Sequence, residues 1–173
     1  MTAEKREILE IVDRNGAVVG LAERSELHRS PSLIHRVAHV LVFNKKGDLL
    51  LQKRSSRKDI APGKWDTSVG GHINPGETDS AAAKREMKEE LGIEDPGMVF
   101  LHTYLFSNDR ESELVSTFLC VYEGEIAFNR EEIDEVRYWD LQEIKENFGK
   151  NVFSNHFEKE MRNYLTKTGQ TSL

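Results

Sequence analysis

The sequence predicts an α/β sandwich built on one mixed β-sheet. Three observations point there. Short apolar runs of strand length recur along the chain. One stretch of helix-forming residues lies between them, from Ser80 to Leu91, with three alanines and neither glycine nor proline. Two further amphipathic segments close the chain, and a pattern of strands interleaved with helices packs as layers about one sheet.

The elements follow in order. In EILEIVDRNGAVVGLAE, Asn15-Gly16 separates two apolar stretches, and both residues accept positive φ, so a hairpin is expected. A short helix is expected in ERSELH, 23–28, which completes an N-terminal unit of hairpin and helix over 1–30. RVAHVLVF, 36–43, and LLLQKR, 49–54, read as paired strands turning at Lys46-Gly47-Asp48. After a polar loop with Pro62-Gly63, WDTSVGGHI, 65–73, reads as one further strand. The helix over 79–91 ends at Gly92. Strands are expected near 98–106, 113–122 and 135–139, and closing helices over 141–166, in LQEIKENF and SNHFEKEMRNYL.

Length and charge narrow the function. A chain of 173 residues has the size of one domain and can bury a sizeable core. No apolar run reaches the length of a bilayer span, and MTAEKREILE has no apolar stretch of the kind a leader peptide needs. The formal net charge of -6 argues against nucleic acid as a partner, because a general binder needs a basic face. It allows an anionic small molecule, since a bound divalent cation reverses the local field. Cys120 is the only cysteine, which rules out an intrachain disulfide and fits a reducing cytoplasm.

The chemistry is concentrated in GHINPGETDSAAAKREMKEELGI, Gly71 to Ile93. On a helix, Glu86, Glu89 and Glu90 stand at i, i+3 and i+4 and share a face, while Ala83, Met87 and Leu91 face the core. Hard carboxylate oxygens suit Mg²⁺ or Mn²⁺, which keep waters and bind substrate phosphates. Arg85 lies one turn before Glu89, placed to orient that carboxylate. Gly70-Gly71 allow close backbone approach, so a carbonyl can join the metal shell.

This segment resembles the Nudix box, Gly-x5-Glu-x7-Arg-Glu-aliphatic-x-Glu-Glu-x-Gly-aliphatic, at every defined position. The resemblance implies a Nudix-type α/β/α sandwich with a mixed sheet. It also implies a metal held by Glu86, Glu89 and Glu90 with the carbonyl of Gly70. A later carboxylate often serves family members as ligand or base; Glu132 is the candidate here, with Glu131 close behind.

The remainder resembles one branch of the superfamily, the type I isopentenyl-diphosphate isomerases and their hydrolase relatives. His28, His35, His72, Glu111 and Glu113 match that branch's metal site and imply a second divalent metal. Arg54 and Lys58 match positions that hold the substrate diphosphate. The isomerases use a cysteine just before the box histidine, where this chain has Gly70. Their box is eroded; this one is whole. A missing proton-transfer thiol beside a full set of carboxylates favours hydrolysis of a diphosphate linkage in a nucleoside diphosphate derivative or a related small organic diphosphate. The alternatives are an isomerase-like enzyme and a nucleotide-binding module without turnover. The sequence carries no code for the group released or for the oligomeric state.

Overall fold

The computed structural model describes residues 6–95 and 97–170. The expectation that no leader occupies the N-terminus rests partly on residues 1–5, which lie outside the described residues. Nine strands form one mixed sheet, in the chain order β1 (Ile8–Val12), β2 (Val18–Glu23), α1 (Arg24–Leu27), β3 (Ile34–Phe43), β4 (Leu49–Arg54), β5 (Trp65–Asp66), β6 (Val69–His72), α2 (Asp79–Leu91), β7 (Val99–Ser107), β8 (Ser112–Val121), β9 (Ile133–Trp139), α3 (Leu141–Asn147) and α4 (Asn155–Thr168).

The centre of the sheet is β3. It pairs in parallel with β8 along its whole length, from Ile34 opposite Ser112 to Phe43 opposite Val121. It pairs antiparallel with β6 and, at its start, with β1. Its residues alternate between two faces, as period-2 geometry demands. Ala38, Val40 and Val42 pack under α2 with Met87 and Leu91. Leu41 and Phe43 pack on the other side with Phe157, Met161 and Leu165 of α4. Both faces are covered, which explains why β3 reads as a nearly continuous apolar run.

Local sequence fixes the helix ends. Thr78 caps α2 by accepting from the Ala81 amide at 3.2 Å, and Gly92 ends it in the left-handed region at φ 68°. Ser154 caps α4 in the same way by accepting from Phe157 N at 3.0 Å. Such a cap contributes about 1 kcal/mol. Among the described residues, no helix is long and apolar enough to cross a membrane.

Two expectations need correction. The stretch 65–73 is two short strands: β5 pairs with β4, and β6 pairs with β3. Ser68 lies at the break; its hydroxyl accepts from the Val42 amide at 2.9 Å and donates to the Leu50 carbonyl. It thereby joins two strands that pair with each other only at Phe43 and Leu49. The N-terminal hairpin forms, but not through two positive-φ residues. Only Gly16 is left-handed, at φ 84°. Asp13 accepts from Gly16 N at 3.0 Å through its carbonyl, and its carboxylate accepts from Asn15 N at 2.8 Å. The turn is therefore one residue longer than a tight Asn-Gly turn.

Candidate active site

A cleft of about 570 Å³ opens where β3 and β6 part from β4 and β5. The box glutamates line it, and so do His28, His72, Glu111 and Glu113 of the second constellation, while His35 is fully buried behind them.

The box end is built by α2 against β6. Glu90 is buried; its carboxylate accepts from Gln52 Nε2 at 2.8 Å and from Gly70 N at 3.4 Å. Burial pushes its pKa up to about 8, with the nearby Glu86 charge adding to the rise. Burial likewise lifts Glu86 to about 7, even though Arg85 pulls it down. Glu89 points to solvent with 58% of its side chain exposed, so the three carboxylates sit in unequal surroundings.

Arg85 does more than the sequence suggested. Its guanidinium reaches Glu89 at 3.3 Å, but it grips Glu77 through two bonds of 2.9 and 3.0 Å. It also donates to the His72 carbonyl at 2.9 Å and to Glu86. Arg85 thus ties the loop before α2 to the helix and to β6. The bidentate pairing holds Glu77 below the usual carboxylate range.

Glu132 reaches the cleft from the turn before β9, whereas Glu131 is exposed and not among the cleft-lining residues. Its carboxylate accepts from Lys58 Nζ at 2.7 Å, so one candidate for the metal or base role is paired with one candidate phosphate contact. Arg54 donates to the Ile60 carbonyl at 2.8 Å and lies 3.3 Å from Asp66.

At the other end, His28, His35 and His72 converge, with ring centroids 5.2 to 5.4 Å apart. One ligand atom from each lies within 4.8 Å of the others, and His35, Glu111 and Glu113 form a second such group. His28 Nδ1 stands 3.2 Å from Glu111 and His35 Nε2 3.7 Å from Glu113. Both ring nitrogens of His35 and one oxygen each of Glu111 and Glu113 are buried without a hydrogen-bond partner. Orphaned buried polar atoms of this kind call for a further group. Burial, with the Arg24 charge, lowers His28 to about 3, which keeps its imidazole neutral and able to ligate. The donor set therefore fits a divalent metal.

Several residues here escaped the sequence reading. His156, at the start of α4, approaches Glu113 at 3.1 Å and Glu111 at 3.7 Å. Burial opposes its charge, yet Glu113 raises it to about 9. Glu7 meets His72 Nδ1 at 3.0 Å. Gln52 holds Glu90. None lies at a motif spacing from its partner; the only available signal was that Gln52 is polar at the end of an apolar run.

A family model described as NUDIX domain matches residues 33–158. The chain belongs to the Nudix family. Its relatives include a protein named isopentenyl-diphosphate Delta-isomerase from Streptomyces avermitilis, 34% identical over 156 residues, which cover 87% of this chain and 79% of the relative. A protein named uncharacterized Nudix hydrolase from Yersinia pestis is 36% identical over 140 residues, covering 80% of this chain and 75% of the relative. Among solved structures, one from Deinococcus radiodurans superposes with a TM-score of 0.79 at 23% identity, covering 91% of this chain and 98% of that one. The fold is the Nudix sandwich, and the relatives' names divide between hydrolase and isomerase.

Proposed function

We propose that the chain is a pyrophosphohydrolase of the cytoplasm, cleaving a diphosphate linkage in a nucleoside diphosphate derivative or a related small organic diphosphate. One observation carries this reading. Glu86 and Glu90 turn into the cleft beside Gly70, at the position where isomerisation would call for a thiol. Cys120 is no substitute: it is buried in the core with α2, and burial pushes its thiol up to about 11.

In this reading Glu86, Glu89 and Glu90, with the carbonyl of Gly70, hold Mg²⁺ or Mn²⁺. A metal held by these residues would supply screening of the substrate's charge and activation of a water for attack on phosphorus. Arg85 fixes the carboxylates against β6. Arg54 and Lys58 meet the diphosphate and stabilise the charge that develops. A phosphate that draws Lys58 away frees Glu132 to take the proton of the attacking water. His28, His35, His72, Glu111 and Glu113 hold the second divalent ion.

The test is a pair of assays on purified protein with Mg²⁺. Phosphate or a mononucleotide should be released from at least one nucleoside diphosphate derivative. Isopentenyl diphosphate in heavy water should yield no deuterated dimethylallyl diphosphate. Deuterium that appears in proportion to enzyme would make the chain an isomerase; binding of nucleotide without any turnover would make it a sensing module.

A further inference from the structure

Glu160 of α4 is fully buried and sits among donors only. Its carboxylate accepts from His39 Nδ1 at 2.8 Å, Tyr104 Oη at 2.9 Å, Thr117 Oγ1 at 2.9 and 3.0 Å, and His102 Nε2 at 3.2 Å. Burial works against its charge, but these donors hold it down to about 2. An ionised carboxylate only accepts, so His39 Nδ1 must carry the proton. In the neutral ring the other nitrogen, Nε2, is then an acceptor.

His39 lines the cleft, and its Nε2 has no hydrogen-bond partner among the described residues. The ring packs against Gly70: a Cβ there would stand 3.1 Å from His39 Cδ2 and 3.3 Å from Nε2. The glycine leaves that nitrogen uncovered. The same cleft is lined by Asp66, Thr67, Glu113 and His156 as well as by Val37. An isoprenyl chain placed against His39 would leave that free nitrogen unpaired, at a cost of about 1–3 kcal/mol.

We infer that this part of the cleft receives a hydroxyl-bearing part of the substrate, such as a ribose or another sugar, and that His39 Nε2 forms a hydrogen bond with one of its hydroxyls. The inference rests on the hydrolase reading for the reaction and adds the class of group recognised. His39 is the specificity-determining residue, and Glu160 is the positioning residue that fixes which nitrogen faces the substrate. Sites that bond a substrate hydroxyl discriminate strongly against analogues without it, because their own polar group is left unpaired.

A substrate-by-variant cycle tests this. A nucleoside diphosphate sugar and its singly deoxygenated analogues are compared in the wild type, His39→Phe and Glu160→Gln, with kcat/KM from release of the nucleoside monophosphate and Kd from calorimetry. Wild type should lose about tenfold on at least one deoxy analogue, the worth of one hydrogen bond. His39→Phe should treat that analogue and the parent alike. Glu160→Gln keeps the ring but can donate to Nδ1, turning Nε2 into a donor, and should shrink the same discrimination while leaving that against other analogues. Because the cycle compares substrates within one variant, a partly unfolded preparation does not mimic the result. Equal handling of all analogues by wild type, or discrimination that survives in His39→Phe, overturns the inference. Coupling in Kd without any turnover would overturn the hydrolase reading and leave this one standing; turnover without coupling would do the reverse.

Discussion

The carboxyl group of Glu86 occupies the space that a side chain at residue 71 would need. The first glycine of the box is therefore a matter of room rather than of backbone freedom, since Gly71 has no positive φ. Gly71→Ala should push Glu86 off β6 and break its contact with Arg85. The expected outcome is a fall in turnover of about a hundredfold, the scale of a lost electrostatic stabiliser. Stability should change little, because the group displaced is the far end of a flexible side chain. Steady-state kinetics and denaturant melts check both; wild-type turnover in Gly71→Ala would take Glu86 out of the mechanism.

Glu90→Gln separates catalysis from folding. The amide oxygen can still accept from Gln52 and Gly70, and the burden of a buried charge disappears. Turnover should drop by about a hundredfold or more while the melting temperature holds or rises. Near-normal turnover at saturating Mg²⁺ would exclude Glu90 from the metal shell.

The raised carboxylates set a pH dependence in metal-free protein. Folded Glu86 and Glu90 titrate near about 7 and about 8, against about 4.3 for an unfolded glutamate. Their folded forms bind protons that the unfolded chain has released, so their contribution is fully present below about pH 4.3 and is lost as pH rises through 7 and 8. His156, raised to about 9, acts in the same direction, and Glu160, lowered to about 2, is constant across that range. Thermal melts in a chelator should therefore fall from about pH 5 to pH 9, with a shallower slope in Glu90→Gln. Added Mg²⁺ should stabilise most at the alkaline end, because its ligands must be ionised. A flat melting profile in chelator would contradict the buried-carboxylate account.

The histidine site predicts a second metal that is separable from the first. His35→Ala removes a ligand from both convergent groups. Metal analysis after gel filtration should show one divalent ion fewer than in wild type, with box-site affinity retained. In wild type, absorption spectroscopy should place nitrogen and oxygen ligands at roughly 2.0 to 2.3 Å. Identical metal content in the two proteins would reduce the histidines to a hydrogen-bonded cluster.

Much of this architecture was legible because it is local. The helix α2 declares itself through alanines and a Gly stop within one stretch. Glu86, Glu89 and Glu90 lie on a single helix, so their spacing alone brings them together. His28, His35, His72, Glu111 and Glu113 come from four separate segments, and only a family resemblance grouped them. What stayed hidden depends on contacts without a spacing. Glu160 meets His39 across 121 positions, and Gln52 meets Glu90 across 38. The break at Ser68 was hidden too, because WDTSVGGHI suits either one long strand or two short ones. Asn15-Gly16 misled in a different way: the pair signals a turn, but the Asp13 side chain decides which turn.

The parallel pairing of β3 with β8 also bears on how the chain comes to be folded. The partners lie 78 positions apart in the register of Ile34 with Ser112. Loop closure over that span must precede any reward from the pairing, which makes the step slow compared with forming the local hairpin. During synthesis β3 emerges early and waits, one long apolar edge open, until residues 112–121 follow. A chain halted in that interval presents an unpaired strand, the usual template for misassociation. Ribosome-bound fragments ending before residue 112 should therefore recruit holdase chaperones, and fragments that expose residue 121 should release them.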